Sequence, residues 1–386
     1  MSCSTSRLRP LALLLALMAL IAGCGQSPSL SRRATAPTST PTPLPPTATP
    51  TPTPSPTPTA TPTPDLSRLT PTVQPTPLPD NVSPFTGLEV ADPAVLNRMP
   101  AAVKISNSPI ARPQSGLSRA DIVVEHLAEG GITRFTAIFH SEDAERIGSV
   151  RSARLIDLEL PVLFDAFLVY SGAHGEVTRL IESSDFADRT LCDDRGDAGF
   201  YRLDIPGRAY EHTLFTDSQL LQQVAAAQGW TQRPRHRGWT WSAEPPAGAA
   251  PARTVEIPYS ADYADVRYQY DPEIGAYRRW ITGQVHVDEL TGEQIAVANV
   301  VVLYVNHVET PIVENLLGSR SVQIQLWGQG RAQLFRNGVV LEGLWVRPNR
   351  EDPLLFVDAA GQPLPLKPGK VWIQLVPLDM VVTYSE

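Results

Sequence analysis

Four arginines, two histidines and a glycine-bearing turn are where chemistry could lie in this chain. Arg119, Arg134, Arg151 and Arg154 each offer a planar fork of donors suited to carboxylate or phosphate. The run Gly172-Ala-His174-Gly175 follows a strand-like segment and opens a helical one. Such a turn presents free backbone N–H groups at the positive end of a helix, which suits an anion. Together these residues predict an anion-recognising cleft. The competing expectation is that the arginines pair with Asp121, Glu125 and Asp157 as structural bridges. His174 and His212 could act as base or ligand. Glu125 and Glu129 raise a two-carboxylate hydrolase, yet four residues along a strand separate them by about 13 Å, outside glycosidase geometry. Glu125 would then need a partner such as Asp204 or Glu211.

Other chemistries lack their residues. The sequence has no HExxH, paired-cysteine zinc pattern, EF-hand loop, GxSxG elbow, P-loop or dinucleotide fingerprint after a strand. No metal or cofactor is expected. Asp193-Asp194-Arg-Gly-Asp197 lacks the closing glutamate of a calcium loop and reads as a solvated acidic turn. His286 and Asp288 share one strand face by the period of two and could meet His307. Tyr263, Tyr268, Tyr270, Tyr277 and Trp280 form an aromatic hairpin, some for the core and some for a sugar or peptide face. Cys192 is a lone thiol, read as buried rather than nucleophilic.

These residues need elements to hold them. Ala101–Ser106, Ile122–Leu127 and Ile132–His140 are β-rich, the last two joined through Glu129-Gly130-Gly131 as a hairpin. Arg151–Leu163 has the spacing of a helix, Phe164–Ser171 reads as a strand, and a second helix runs through Ile181. Thr216 and Gln219 match a capping box for a helix ending near Gly229. A Pro/Gly/Ala-rich stretch from 231 to 251 marks an internal boundary. Beyond it come strands at Val266–Tyr270, Tyr277–Ile281, Gln284–Val287, Ile295–Val305, Val322–Trp327, Ala332–Phe335, Val339–Trp345, Leu354–Val357 and Val371–Val376, with Asn337-Gly338 a hairpin turn. The expected body is α+β: an N-terminal domain over 81–235 and a β-rich C-terminal domain over 250–386.

The first 80 residues have another character. Arg7 and Arg9 precede an apolar run from Leu11 to Ile21, too short for a membrane span and right for an export signal over 1–23. Cys24 follows Ile-Ala-Gly in the register of a bacterial lipobox. Its sulfur would carry a diacyl group of palmitate type, and two chains anchor durably where one does not. Between Pro37 and Pro79, 30 of 43 residues are proline or threonine. Proline removes the amide donor and fixes φ, so 24–80 reads as a disordered, extended tether of polyproline II character. The chain of 386 residues has a net charge of −8, which argues against nucleic acid as a partner.

Ala111-Arg-Pro-Gln-Ser-Gly-Leu117, Glu129-Gly-Gly-Ile-Thr-Arg-Phe135 and Ile147-Gly-Ser-Val-Arg-Ser-Ala-Arg154 resemble the YerB-like lipoprotein family. The resemblance continues through Phe200-Tyr-Arg202, His212, His286-Val-Asp288 and Pro368-Gly-Lys-Val-Trp-Ile373, spanning 84–386. It departs at Ser171-Gly-Ala-His174 and at Thr213. It implies an extracytoplasmic lipoprotein with N- and C-terminal domains in a layered β/α sandwich, and supplies no reaction. The expected function is binding of a cell-envelope glycan, peptide or protein by a membrane-tethered body, without catalysis. The alternatives are an envelope hydrolase or peptidoglycan-modifying enzyme using Glu125, His174 or His212, and a structural organiser that binds protein through its C-terminal sheet.

Overall fold

The computed structural model describes residues 78–386, apart from 236–237, 261 and 315–317. The export signal, Cys24 and the proline/threonine tether up to residue 77 lie outside the described residues.

One mixed sheet organises the body. Its main strands are β1 (Ala101–Ser106), β2 (Ile122–Leu127), β3 (Thr133–Phe139), β4 (Phe167–Tyr170), β5 (Thr190–Cys192), β6 (Asn299–Val305), β7 (Gly328–Arg336), β8 (Val339–Arg347), β9 (Leu355–Val357) and β10 (Val371–Pro377), and the two-residue strand Ala250–Pro251 pairs with the start of β8. The order across the sheet is β9-β8-β7-β6-β10-β2-β3-β1-β4-β5. β10 lies parallel to both β6 and β2, while β1, β4 and β5 are mutually parallel. The antiparallel β3 sits between β2 and β1, so these six strands share one direction and their carboxyl ends line one edge. Strands from both sides of the 231–251 stretch thus pair in one sheet, with Ile122 opposite Val371 and His126 opposite Leu375.

Strand periodicity sorts the side chains into two cores. Val103, Ile105, Val123, Phe135, Val169, Val302 and Trp372 face one way and pack beneath a second, smaller antiparallel sheet. That sheet contributes Val255, Ile257, Val266, Tyr268 and Tyr277, and the helix α3 (Ser218–Ala227) contributes Leu221 and Ala225. Ala102, Ile122, Val124, Ile138, Leu168, Leu303, Ile373 and Leu375 face the other way, towards α1 (Leu160–Leu163) and α2 (Gly175–Glu182). Covering both faces explains why β1, β3, β4 and β6 are buried along their whole length. Among the described residues no helix is long and apolar enough to cross a membrane.

Several elements differ from expectation. The helix over 151–163 is instead an extended segment, a 3-10 turn at Leu155–Leu158 and the short α1. Tertiary pairing wins there: the Arg151 amide bonds the Lys104 carbonyl, the Ser171 amide bonds the Arg151 carbonyl, and the Ala153 amide bonds the Gly172 carbonyl. The cap of α3 is Asp217, whose carboxylate accepts from the Leu220 amide at 2.7 Å, while Thr216 belongs to the strand Leu214–Thr216. Ile295–Val305 breaks in two, because Ala296–Val297 joins the smaller sheet and β6 the larger. The strands Thr254–Pro258 and His307–Val313 were not expected.

Candidate functional site

The carboxyl edge of the parallel strands gathers polar side chains, the place where open α/β sheets usually receive ligands. Arg134 opens β3 opposite Ser106 of β1 and His126 of β2. It is 4% exposed, and its guanidinium donates to the Ser152 carbonyl at 2.9 Å and to Glu129 at 3.0 Å. Glu129 stands in the turn between β2 and β3, where Gly130 and Gly131 take φ of 71° and 76°. Arg154 donates to the same carboxylate through Nε at 2.6 Å and through Nη2, and approaches Glu314 at 3.8 Å. Arg151 donates to the Glu211 carbonyl at 3.1 Å. Next to Glu211, His212 is 5% exposed, with Nδ1 buried and unpartnered. Arg208 gives Nη2 to the Pro113 carbonyl at 3.3 Å and leaves Nη1 buried and unpartnered.

The electrostatics are those of crowded cations. Burial, with the charge of Arg154 second, lowers the Arg134 pKa to about 9. Desolvation also pushes the Arg151 pKa down. Burial, then Arg151, Arg208 and Arg134, hold His212 below its usual value, with only Glu211 opposing. Glu129 responds the other way. Burial raises its pKa, but the Arg154 hydrogen bond and the charges of Arg134 and Arg154 outweigh that and bring it to about 2.

Beneath this edge, on the helix-covered face, Lys104 is fully buried. Its ammonium meets Asp157 at 3.0 Å, His126 Nε2 at 2.8 Å and the Thr136 hydroxyl at 2.8 Å. Desolvation outweighs Asp157 and lowers the lysine to about 8. His126 is pushed well below its usual value by burial and by Lys104 beside it. A ring nitrogen facing an ammonium must accept, so His126 is neutral there.

The other face of the sheet carries a second buried network. Glu125, with no exposed surface, accepts from Arg279 at 2.9 Å, Gln374 at 3.0 Å, Trp372 at 3.1 Å and the Thr133 hydroxyl at 2.7 Å. Arg279 lies 4.5 Å from the Trp372 ring centroid and contacts His286 Nδ1, whose Nε2 meets Gln114 at 2.8 Å. Asp288 accepts from the Gly116 and Ser118 amides and the Ser118 hydroxyl.

The comparisons match this architecture. The N-terminal domain of the protein family of unknown function DUF3048 matches residues 85–231, and its C-terminal domain matches 255–373. The YerB protein of Bacillus subtilis (strain 168), which its name describes as a lipoprotein, is 33% identical over 297 residues, 76% of this chain and 86% of that protein. The chain belongs to the YerB-like family. The crystal structure of the Bacillus subtilis YerB protein superposes with a TM-score of 0.65 at 32% identity, covering 78% of this chain and 99% of that one. The arginine cluster therefore falls within the N-terminal match of the YerB-like fold, whereas the Glu125–Arg279 pair joins the N-terminal match to the C-terminal one.

Arg134, Arg151, Arg154 and His212 come together. Arg119 does not: it precedes β2 rather than following it, so it sits at the opposite end of that strand and pairs with Glu142 at 3.4 Å. The Gly172 carbonyl reaches the cluster through Ala153, but His174 is exposed and caps α2, its Nδ1 facing the Glu176 amide at 3.5 Å. Glu125 is enclosed and engaged at both oxygens, away from any substrate path. The expected pairings of the arginines with Asp121, Glu125 and Asp157 side chains give way to Glu129, Glu142 and Glu314, because Asp121 serves Ser141 and Asp157 serves Lys104. Asp193 and Asp197 are taken by Arg202 and Arg195, and among the described residues no three His, Cys, Asp or Glu side chains could hold a metal. His286 and Asp288 point to the first half of the chain and not to His307, which turns to the Val305 carbonyl. Tyr268 and Tyr277 are core, while Tyr263 is exposed. Cys192 is buried and free, and its pKa is raised by burial.

Lys104, His126, Arg208, Arg279 and Glu314 were missed. Arg279 alone had a signal: Tyr277, Arg279 and Ile281 alternate with Arg278 and Trp280, so the strand period places an arginine inward.

Proposed function

We propose that this chain is a lipid-anchored, extracytoplasmic envelope protein whose body binds an anionic envelope component at the carboxyl edge of its sheet. An export signal over 1–23, acylated Cys24 and a proline/threonine tether over 24–80 hold the body away from the membrane. The lipoprotein name of the Bacillus subtilis relative and the Ile-Ala-Gly-Cys24 register support the anchor. Acyl chains contribute about 0.8 kcal/mol per buried CH₂, enough for durable attachment with two chains.

One observation carries the binding reading. Arg134, Arg151, Arg154 and Arg208 gather around His212 against the carboxylates of Glu129, Glu211 and Glu314, which leaves an excess of positive charge and unpartnered nitrogens on Arg208 and His212. A buried donor without a partner costs about 1–3 kcal/mol, which a bound anion would recover. The full chain in detergent, titrated with muropeptides and with phosphate, tests it. Arg151→Ala weakens binding by roughly tenfold or more if a charge-assisted hydrogen bond is lost. Unchanged affinity on Arg151→Ala removes the site. Cys24→Ser moves the protein from the detergent to the aqueous phase; continued detergent partitioning removes the anchor.

A further inference from the structure

The donors around His212 come from three different elements, and that bears on the anion they suit. Arg151 enters on the extended segment before α1, Arg208 on the loop following the strand Tyr201–Arg202, and His212 on the 3-10 turn Tyr210–His212. The first two are each pinned at one nitrogen by a carbonyl, Glu211 for Arg151 and Pro113 for Arg208. Nη1 of Arg208 and Nδ1 of His212 are buried with no partner among the described residues. A planar carboxylate satisfies one guanidinium fork in its own plane. Its two oxygens must then also serve the donors arriving from two other elements. A tetrahedral group with three terminal oxygens can meet several directions at once.

We propose that Arg151, Arg208 and His212 form a phosphoryl-binding site, resting on the anion-binding reading above and narrowing it to terminal phosphate groups. His212 is then the proton-linked member. The groups facing it are Arg151, Arg134 and Arg208, which disfavour its charge, and Glu211, which favours it. In the free protein these neighbours and burial favour the neutral imidazole. A dianion placed among these cations reverses the local field, so binding draws a proton onto His212. Affinity is therefore greatest at low pH and falls as pH rises through the bound-state pKa, by at most about tenfold per pH unit for one proton.

Sulfate is a suitable probe because it stays a tetrahedral dianion, so any pH dependence belongs to the protein. Calorimetry on the full chain in detergent, from pH 6 to 8, should give sulfate and phosphate binding at least about tenfold tighter than acetate at pH 6, with affinity declining as pH rises. Arg208→Ala should reduce it by roughly 10–100-fold, the loss expected for a hydrogen bond to a charged group. His212→Asn should flatten the pH profile, with circular dichroism confirming that both variants remain folded. Acetate binding with sulfate silent would overturn the phosphoryl assignment and leave the anion-binding reading standing. A flat wild-type profile, or unchanged affinity in Arg208→Ala, would also overturn the assignment. No binding by any anion would remove both. Competition by glycerol phosphate marks a phosphate monoester source and competition by inorganic phosphate alone marks free phosphate, and either supports the phosphoryl site; equal competition by glycerophosphoglycerol, a monoanion with two terminal oxygens, would overturn it.

Discussion

Glu125→Gln should cost far more stability than an isosteric change ordinarily does. Oε2 accepts from Arg279, Trp372 and Gln374, and Oε1 from Thr133 at 2.7 Å and Asn107 at 3.4 Å. The new amide NH₂ must face one of these sets. Turned towards Oε2 it meets three donors; turned towards Oε1 it meets Thr133, whose hydroxyl can reverse and accept, and Asn107, whose amide cannot without losing its own bonds. The second orientation is cheaper. Even so, Arg279 loses the one carboxylate it pairs with among the described residues while fully buried among Phe135, Tyr268 and Trp372. Breaking a buried pair by removing one partner costs about 3–5 kcal/mol, because the remaining charge is uncompensated. At about 2 °C per kcal/mol for a body of this size, the melting temperature should fall by roughly 6–10 °C. Urea unfolding followed by tryptophan fluorescence measures the loss, with buried Trp372 a direct reporter. Arg279→Met alone should also be costly, yet the double variant should recover about 2 kcal/mol relative to the sum of the singles. A loss below about 1 kcal/mol for Glu125→Gln, or additivity within about 0.5 kcal/mol, would refute the claim that this pair ties the two halves.

The Glu129 pKa of about 2 lies below its ordinary value of 4.5, so its ion pairs favour the folded state above pH 4.5 and that contribution disappears as pH falls towards 2. The difference is on the order of 3 kcal/mol. Glu129→Gln should remove this part of the acid dependence, read as a shallower fall in urea midpoint between pH 5 and 3; an unchanged slope contradicts the assignment. Asp217→Ala, which deletes the α3 cap, should cost about 1 kcal/mol by the same assay, and no loss would show that the Leu220 amide finds another acceptor.

Much of the fold was legible because period-two burial is a strong signal. β1 and β2 have the limits read from sequence, and the Asn337-Gly338 turn sits between β7 and β8 with φ of 52° and 75° at its centre. The failures share a cause. Arg151–Arg154 has helical spacing in its apolar neighbours, but backbone groups of Lys104 and Gly172 were waiting at a sheet edge to claim its amides and carbonyls. A local pattern cannot register partners tens of residues away. The strand break at Ala298 is similar: the run is apolar but for Asn299 and Tyr304, and the existence of two sheets divides it.

The candidate site follows the same division between local and distant information. Arg134 and Arg154 meet because Arg134 is the second residue of β3 and Arg154 lies on the extended segment before α1, both at one end of the sheet, which requires knowing strand direction. Arg119 has the same chemistry and enters β2 from the other end, so strand polarity alone separates it from the cluster. The pairing of these arginines with Glu129 does not argue against a ligand. The Glu129 carboxylate, shared by Arg134 and Arg154, fixes both guanidiniums, with Glu314 3.8 Å from Arg154, while Arg151 and Arg208 are held by neutral carbonyls. Structural pairing and the proposed anion capture thus fall to different arginines of one cluster. For that reason Arg151→Ala and Arg208→Ala should weaken binding with little loss of stability, whereas Arg134→Ala should first unbalance the partly buried Glu129.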